Sequence, residues 1–248
     1  MLRRAVELGV NHIDTAAFYF SPLRSANELI NTALAPYSDG LVIATKVGPG
    51  WDPQGAWQGM ARPDQLRGQV EENLRQLGRD HLDLVNLRAL SLSKPVGEHF
   101  AALAALRDAG LVRHLGLSNV TVEQIDEALQ IAPVAAVQNR YSIDSRRPEA
   151  DEVLSACAQR GIAFVPYFAI AGEGREGGKR ASELEPVLAV ARAHGATPAQ
   201  IRLAWTLAQG SHVLAIPGTG SLAHLTENTA AAALRLAPGE LTLLNSLA

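Results

Sequence analysis

The chain has 248 residues, of which 47% are hydrophobic and 19% charged, a composition typical of a globular protein and not of a disordered one. The net charge is −3 and neither sign forms a long run, so neither nucleic acid nor an anionic membrane surface is an expected partner. No apolar run approaches the roughly 20 residues of a membrane span, and the single cysteine, Cys157, excludes an internal disulfide. We therefore expect a cytoplasmic protein in which Cys157 is a small buried residue and not a nucleophile.

Helix-like and strand-like patterns alternate along the whole sequence. In chain order we predict a helix at 2–8, a strand at 11–14, a helix at 25–35, a strand at 41–46, a helix at 63–77, a strand at 82–87, a helix at 97–109, a strand at 112–117, a helix at 121–131, a strand at 134–138, a helix at 148–160, a strand at 162–167, helices at 182–194 and 198–209, a strand at 213–216 and a helix at 222–234, with room for one more helix in the tail. Pro63 in a first turn, Thr121 as an N-cap, and Gly78 and Gly161 as helix stops set several of these bounds.

Repeated strand–helix units predict an α/β protein with a parallel sheet of seven short buried strands. A doubly wound sheet and a barrel both fit this count. No linker composition interrupts the chain, so residues 1–248 are interpreted as one domain. The glycine-rich stretch 172–180 lies in a strand–helix connection and predicts a functional loop. Its match to the dinucleotide fingerprint lacks the following helix and the acidic residue, so we do not interpret it as a Rossmann motif.

Three ionisable residues follow the first two predicted strands. Asp14 and Tyr19 lie after the first strand, and Lys46 ends the second. Tyrosine is a weak acid at neutral pH, and a neighbouring lysine cation favours its phenolate, while an aspartate would hold the lysine charged. Each residue alone has a simpler interpretation: Asp14 as a turn cap, Tyr19 as core, Lys46 as a solvated strand end. Their joint placement favours a proton-donating group, and the scattered histidines predict no metal site.

Longer motifs resemble the aldo-keto reductase family. The sequence DTAAFY at 14–19 resembles the family signature, and ATK at 44–46 resembles the strand that carries its catalytic lysine. Further matches follow in family order at 116–119 (GLSN), 138–141 (QNRY), 164–167 (FVPY) and 216–228. The resemblance covers nearly the whole chain. Within the family, the sequence resembles bacterial pyridoxal reductase-like members most. It implies a (β/α)8 TIM barrel.

The resemblance also implies roles for individual residues. Asp14, Tyr19 and Lys46 are then catalytic, and Arg88 stands where the family usually has the histidine that orients the substrate carbonyl. The implied cofactor-binding residues are Ser118, Asn119 and Gln138 for the nicotinamide carboxamide, Tyr167 with Phe168 for the nicotinamide ring, and Ile216, Gly218, Thr219, Ser221, His224, Glu227 and Asn228 for the adenosine phosphate.

Two departures from the family pattern bear on these expectations. Arginine cannot act as a proton donor near neutral pH, but Arg88 can hydrogen-bond an oxygen or hold an anion. The family normally has a hairpin and a first barrel strand before the helix at 2–8, and neither stands in this sequence. The expectation is therefore a barrel that lacks its N-terminal hairpin and first strand, through a late start or a natural truncation, with two unpaired edges.

The function expected from these features is NADPH-dependent reduction of a small aldehyde or ketone to an alcohol, with Tyr19 as the proton donor. The alternative is a binding or regulatory protein that keeps the barrel but has impaired turnover, as the absent strand and Arg88 suggest. The expected partner is a small carbonyl compound, with the chain a monomer or a weak homo-oligomer.

Overall fold

The computed structural model describes residues 1–21, 24–51, 56–143, 146–170 and 184–247. Residues 9–138 form one compact unit, called here the first unit. Residues 3–8 and the described residues after 138 form the second unit. No helix among the described residues is long and apolar enough to cross a membrane.

The first unit contains most of the strands. Its elements are β1 (His12–Asp14), β2 (Phe20–Ser21), β3 (Arg24–Ser25), α2 (Ala26–Leu34), β4 (Val42–Val47), β5 (Pro49–Trp51), β6 (Trp57–Met60), a 3-10 turn (Pro63–Gln65), α3 (Leu66–Leu77), β7 (Leu82–Arg88), α4 (Gly97–Asp108), β8 (Val112–Ser118), α5 (Val122–Leu129) and β9 (Ala136–Gln138).

A parallel sheet organises the first unit, in the order β1, β4, β7, β8, β9. Strand β7 is buried from Leu82 to Leu87, as a strand covered on both faces must be. Helix α4 covers the sheet with Phe100 and Leu103, both fully buried. Five of the predicted strands are therefore confirmed as neighbours in one parallel sheet, and their carboxyl ends lie along one edge.

The second unit is mainly helical. Its elements are α1 (Leu2–Glu7), α6 (Pro148–Arg160), β10 (Ala163–Phe164), α7 (Glu185–His194), α8 (Pro198–Leu207), α9 (Leu222–Ala230), a 3-10 turn (Ala231–Ala233) and α10 (Pro238–Asn245). The predicted helix at 182–194 is described from Glu185 onward, and the predicted loop at 172–180 lies outside the described residues.

The structure corrects two strand predictions in the second unit. The strand predicted at 162–167 is only two residues long, and the one predicted at 213–216 is a single bridge between Val213 and Phe164. Pro166 interrupts the first segment, since proline has no N–H to extend a ladder, and pairing resumes at Tyr167 in a single bridge to Arg140. Pro217, likewise without an N–H, directly follows the second segment. Two antiparallel hairpins, β2–β3 and β5–β6, were not predicted, because strands this short show no alternation in the sequence.

Several predicted helix ends are confirmed. Thr121 caps α5 in a capping box with Gln124, whose N–H lies 3.3 Å from the threonine hydroxyl. Gly78 and Gly161 end α3 and α6 in the left-handed conformation, with φ of 63° and 65°. These stops turn the chain back toward β7 and β10.

Gly48, directly after β4, lets two strand ends approach closely. Its φ is +120°, and a Cβ built there would lie 2.8 Å from the backbone oxygen of Arg88. The Gln69 side chain holds its backbone, with Gly48 N–H donating to Oε1 at 2.7 Å and Nε2 donating to the carbonyl at 3.2 Å. A side chain at this position would therefore push apart the ends of β4 and β7.

We predict that Gly48→Ala lowers the free energy of unfolding by about 1–3 kcal/mol, the cost of a strained backbone conformation. Gly68→Ala is the matched control, because Gly68 lies inside α3 with nothing within 4 Å of a built Cβ. That change should raise the free energy by about 0.5–1 kcal/mol, since alanine is the better helix former. Urea denaturation followed by circular dichroism measures both, and equal effects of the same sign would contradict the prediction.

Candidate active site

The predicted catalytic residues of the first unit lie at or near the carboxyl ends of its parallel strands. Asp14 ends β1, Lys46 is the penultimate residue of β4, and Arg88 ends β7. Ser118 ends β8 and Gln138 ends β9. The sheet register therefore brings residues that are distant in sequence to one edge.

A buried ion pair is the centre of this edge. Lys46 Nζ lies 2.5 Å from Asp14 Oδ2, and the two side chains are 3% and 11% exposed. The ammonium also donates to the backbone oxygen of Thr15 at 3.0 Å. Gln138 Nε2 donates to the other carboxylate oxygen, Asp14 Oδ1, at 2.8 Å. Both charges are thus hydrogen-bonded, as burial requires.

Tyr19 lies over the ion pair. The Lys46 Nζ atom is 4.9 Å from the centroid of its ring, and 42% of the residue is exposed. Its backbone is held at both sides, with its N–H donating to Ala16 at 3.0 Å and its carbonyl accepting from Ala26 at 2.8 Å. The ring thus has one side toward a buried cation and a large part open to solvent.

Arg88 packs against the aromatic residue that precedes Tyr19. Its guanidinium carbon lies 5.6 Å from the centroid of the Phe18 ring, and that ring meets Tyr19 edge to face at 5.2 Å. The sequence analysis did not single out Phe18. Its position in the signature, next to Tyr19, was the signal that could have identified it.

Ser118, Asn119 and Gln138 form a polar group on adjacent strand ends. Ser118 pairs with Gln138 in the sheet register, and the Asn119 N–H donates to the Gln138 carbonyl at 3.1 Å. Asn119 has φ of 59°, a left-handed conformation that asparagine tolerates better than most residues. The hydrogen bond from Gln138 to Asp14 joins this group to the ion pair, a link that the sequence did not indicate.

Two further polar residues of the sheet were missed by the sequence analysis. Asn86, in register with Lys46, is 1% exposed, and its Oδ1 has no hydrogen-bond partner among the described residues. It lies against Gly116, where a built Cβ would come within 2.0 Å of that oxygen. Burial lowers the pKa of His12, and the Lys46 cation acts in the same direction against Asp14. An asparagine in the apolar run of β7 was the signal for the first of these.

A cavity of about 570 Å³ adjoins Phe18 and Lys46 on the side of α3. Its other walls include Gly50 and Met60, from β5 and β6, and the polar face of α3. Neither Tyr19 nor Arg88 lines it. The cavity therefore adjoins the buried lysine from the side of α3, apart from the Tyr19 and Arg88 side chains.

The other predicted cofactor residues belong to the second unit. Tyr167 and Phe168 meet edge to face at 5.1 Å, and Phe168 has φ of 63°. Ser221 caps α9, with the His224 N–H 3.4 Å from its hydroxyl, and Thr219 Oγ1 accepts from the Ser221 N–H at 3.1 Å. The remaining predicted residues lie in the loop before α9 or on that helix, namely Ile216, Gly218, Glu227 and Asn228.

Comparisons with known proteins agree with this geometry. The model of the aldo/keto reductase family matches residues 1–248. Pyridoxine 4-dehydrogenase of Escherichia coli is 41% identical over 253 residues, covering 100% of this chain and 85% of the relative. A crystallised thermostable aldo-keto reductase bound to the inhibitor epalrestat is 32% identical with a TM-score of 0.84, covering 100% of this chain and 85% of that one. An aldo-keto reductase from Klebsiella pneumoniae in complex with NADPH is 29% identical with a TM-score of 0.79, covering 99% and 82%.

The chain therefore belongs to the aldo/keto reductase family, as the motifs predicted. It has the α/β barrel fold of these enzymes and is an oxidoreductase of the aldo-keto reductase type. This outcome decides between the doubly wound sheet and the barrel, which the element count had left open.

The ion pair predicts a marked asymmetry in stability. Asp14→Asn leaves the Lys46 ammonium buried without a counter-charge, and Lys46→Met does the same to the carboxylate. Each single change should lower the free energy of unfolding by about 3–5 kcal/mol. The double variant should lose less than the sum of the two, and a double-mutant cycle in urea measures the difference.

The control for this cycle is the exposed pair Arg62–Asp64, whose side chains are 68% and 69% exposed. Asp64→Asn should leave the unfolding midpoint almost unchanged, because solvent screens such pairs. Additive losses at Asp14 and Lys46 would show that the two charges do not stabilise each other.

Proposed function

We propose that this chain reduces an aldehyde or a ketone to an alcohol with NADPH, and that Tyr19 donates the proton. The observation that carries the proposal is the buried Lys46–Asp14 pair, whose ammonium lies 4.9 Å from the centroid of the ring of the accessible Tyr19. A buried charge pair of this kind contributes little net stability, so its presence beside an accessible weak acid favours a chemical role.

The proposed reaction divides the work between a cofactor and the side chains. NADPH, held by the residues named below, would supply a hydride for the carbonyl carbon. The Tyr19 hydroxyl donates its proton to the carbonyl oxygen, so that the product is a neutral alcohol. The Lys46 ammonium has three N–H groups, and Asp14 and Thr15 accept from two of them. The third is available to stabilise the phenolate that Tyr19 becomes.

The polar group at the ends of β8 and β9 fits a nicotinamide carboxamide. A carboxamide needs both hydrogen-bond donors and acceptors, which Ser118, Asn119 and Gln138 supply. The Gln138 Nε2 group donates a hydrogen bond to Asp14, so the side-chain oxygen is the atom that would accept a hydrogen bond from such a ligand. NADP is the cofactor that relatives of this chain were crystallised with, and we assign it here on that basis and on the donor set.

In the second unit, the predicted binding residues for the adenosine phosphate lie in the loop before α9 and on that helix. Ser221 already caps α9, and the first N–H groups of a nine-residue helix favour an anion.

Arg88 suggests the class of substrate. It is half-buried at the end of β7, and its guanidinium group packs over the ring of Phe18. A guanidinium in such a place binds an oxygen anion strongly, because little water competes. A small aromatic aldehyde with a phenolate or another anionic group fits, and the name of the Escherichia coli relative, pyridoxine 4-dehydrogenase, points to the same kind of ring.

The proton donor is tested by Tyr19→Phe. Turnover of an aldehyde, followed by NADPH absorbance, should fall roughly 10²–10⁴-fold, the usual contribution of a general acid. The dissociation constant for NADPH should not change, because the hydroxyl acts on the substrate oxygen. Tyr37→Phe is the matched control, since the Tyr37 hydroxyl donates to the Leu77 carbonyl at the end of α3.

Two results would refute this assignment. Wild-type turnover in Tyr19→Phe would exclude Tyr19 as the donor. Tight NADPH binding by the wild-type chain with no turnover across a panel of aldehydes would favour the alternative of a binding protein.

The substrate class is tested by Arg88→Gln. We expect kcat/KM to fall roughly 10- to 100-fold for an anionic aromatic aldehyde, the value of a hydrogen bond to a charged group, and much less for its neutral analogue. Arg67→Gln, on the exposed face of α3, removes one positive charge from the surface and should affect neither. An equal loss for both aldehydes would show that Arg88 does not recognise the anion.

A further inference from the structure

A second polar cluster lies behind the ion pair, between the sheet and its helices. It consists of Thr15, Asn27, Thr45 and Asn73, each of which is no more than 1% exposed. Thr15 directly follows Asp14, and Thr45 directly precedes Lys46. Because successive side chains of a strand point to opposite faces, Thr45 faces away from the site that Lys46 faces. Asn27 and Asn73 reach this layer from α2 and α3.

The four side chains form a continuous chain of hydrogen bonds. Thr15 Oγ1 donates to Asn27 Oδ1 at 2.8 Å, and Asn27 Nδ2 donates to Asn73 Oδ1 at 2.9 Å. The same Asn73 oxygen accepts from Thr45 Oγ1 at 2.5 Å. Asn73 Nδ2 is bonded in turn to the carbonyl of Gln69, one helical turn earlier. Asn73 therefore ties both catalytic segments to one point on α3.

Thr15 connects this cluster to the ion pair itself. Its side chain bonds to Asn27, its N–H donates to Ala44 at 2.8 Å, and its carbonyl accepts from the Lys46 ammonium at 3.0 Å. The orientation of the Thr15 peptide is thus set from behind, while the same peptide holds Lys46 in front. A shift of Thr15 or Thr45 would move the lysine relative to Asp14 and Tyr19.

Stability alone gives no reason for four polar side chains in this layer. Replacing all partners of a buried hydrogen-bond network with apolar groups of the same shape is often nearly neutral for stability. A satisfied network differs from an apolar contact in that it allows one arrangement and penalises the others. The two threonines of this cluster are each one residue from a member of the ion pair. The network therefore restricts the backbone next to Asp14 and Lys46 to one arrangement.

We propose that Thr15, Asn27, Thr45 and Asn73 are positioning residues, which hold Asp14 and Lys46 in the geometry that proton donation by Tyr19 requires. The proposal rests on the proposed function, because the geometry matters only if Tyr19 donates a proton. None of the four touches the reacting atoms, so each acts through the residue beside it in the chain or through the network.

The test compares two substitutions of one threonine. Thr45→Val keeps the shape and removes the hydroxyl, while Thr45→Ser keeps the hydroxyl and removes a methyl group. For Thr45→Val we expect kcat to fall roughly 10- to 100-fold, as a displacement of up to about 1 Å would cause. KM and the dissociation constant for NADPH should stay within about twofold, because binding groups are not moved. Thr45→Ser should keep most of the wild-type kcat.

Thermal stability separates a role in catalysis from a role in folding. Thr45→Ser removes a buried methyl group and Thr45→Val removes a buried hydrogen bond, so both should lower Tm by similar amounts, while only Thr45→Val should lower kcat. Thr206→Val is the matched control, since the fully buried Thr206 hydroxyl donates to the Arg202 carbonyl within α8. It should lower Tm without changing kcat. If kcat follows Tm across the three variants, if Thr45→Val keeps its kcat, or if KM changes in place of kcat, the proposal is wrong.

Two further measurements separate this proposal from the proposed function. Tyr19→Phe is assayed in parallel, and if it retains turnover then the proposed function fails. A crystal structure of Thr45→Val then decides the positioning role without any activity. Displacement of Lys46 Nζ from Asp14 Oδ2 and the Thr15 carbonyl supports it. An ammonium that stays at the distances of 2.5 and 3.0 Å found in the wild-type chain overturns it.

Discussion

A lysine ammonium buried in the interior of a sheet is the constraint on which the rest of the first unit depends. Lys46 is 3% exposed, so its charge is tolerable only with an opposite charge and hydrogen bonds in place of water. Asp14 and the Thr15 carbonyl provide them, and Gln138 satisfies the second carboxylate oxygen. Lys46 stands on β4, and its partners stand at the end of β1 and on β9, so the ends of three strands must converge to within hydrogen-bond distance. A parallel sheet in one register meets this condition.

The two strands that carry the ion pair have polar side chains on both faces at their carboxyl ends, although helices cover the sheet. On one face Asp14 and Lys46 pair with each other, and on the other Thr15 and Thr45 bond to asparagines of α2 and α3. Hydrogen bonds depend on direction as well as distance, so this network adds a directional constraint to the close packing of the apolar side chains. The helices thus stabilise a particular position of these strands as well as covering them.

Local backbone features bring the strand ends close enough for this arrangement. Gly48 has no Cβ to meet the Arg88 carbonyl, and Gly116 has none to meet Asn86. Arg88 and Tyr19 then share Phe18 as a neighbour, so the cation that we propose to bind the substrate lies near the proposed proton donor. Close approach of two backbone segments follows from the packing of all the elements. In the sequence it is visible only as a glycine, whose purpose the sequence does not explain.

The alternation of apolar runs with helical periods was enough to predict the five parallel strands of the first unit, since buried parallel strands are continuous hydrophobic segments. It failed for the segment 213–216, which forms a single bridge, and for the hairpins β2–β3 and β5–β6. The hairpin strands are only two to four residues long, and such short pairings depend on tertiary contacts that periodicity does not record.

The sequence by itself determined where the candidate residues stand relative to the strands, because Asp14, Tyr19 and Lys46 belong to short motifs at or just after the strands β1 and β4. Only the tertiary structure decided their partners. Gln138 meets Asp14 across 124 positions, and Asn73 meets Thr45 across 28, through strand register and helix packing. The physical reason is that a hydrogen bond depends on distance and direction in space, and these follow from how all the elements pack together.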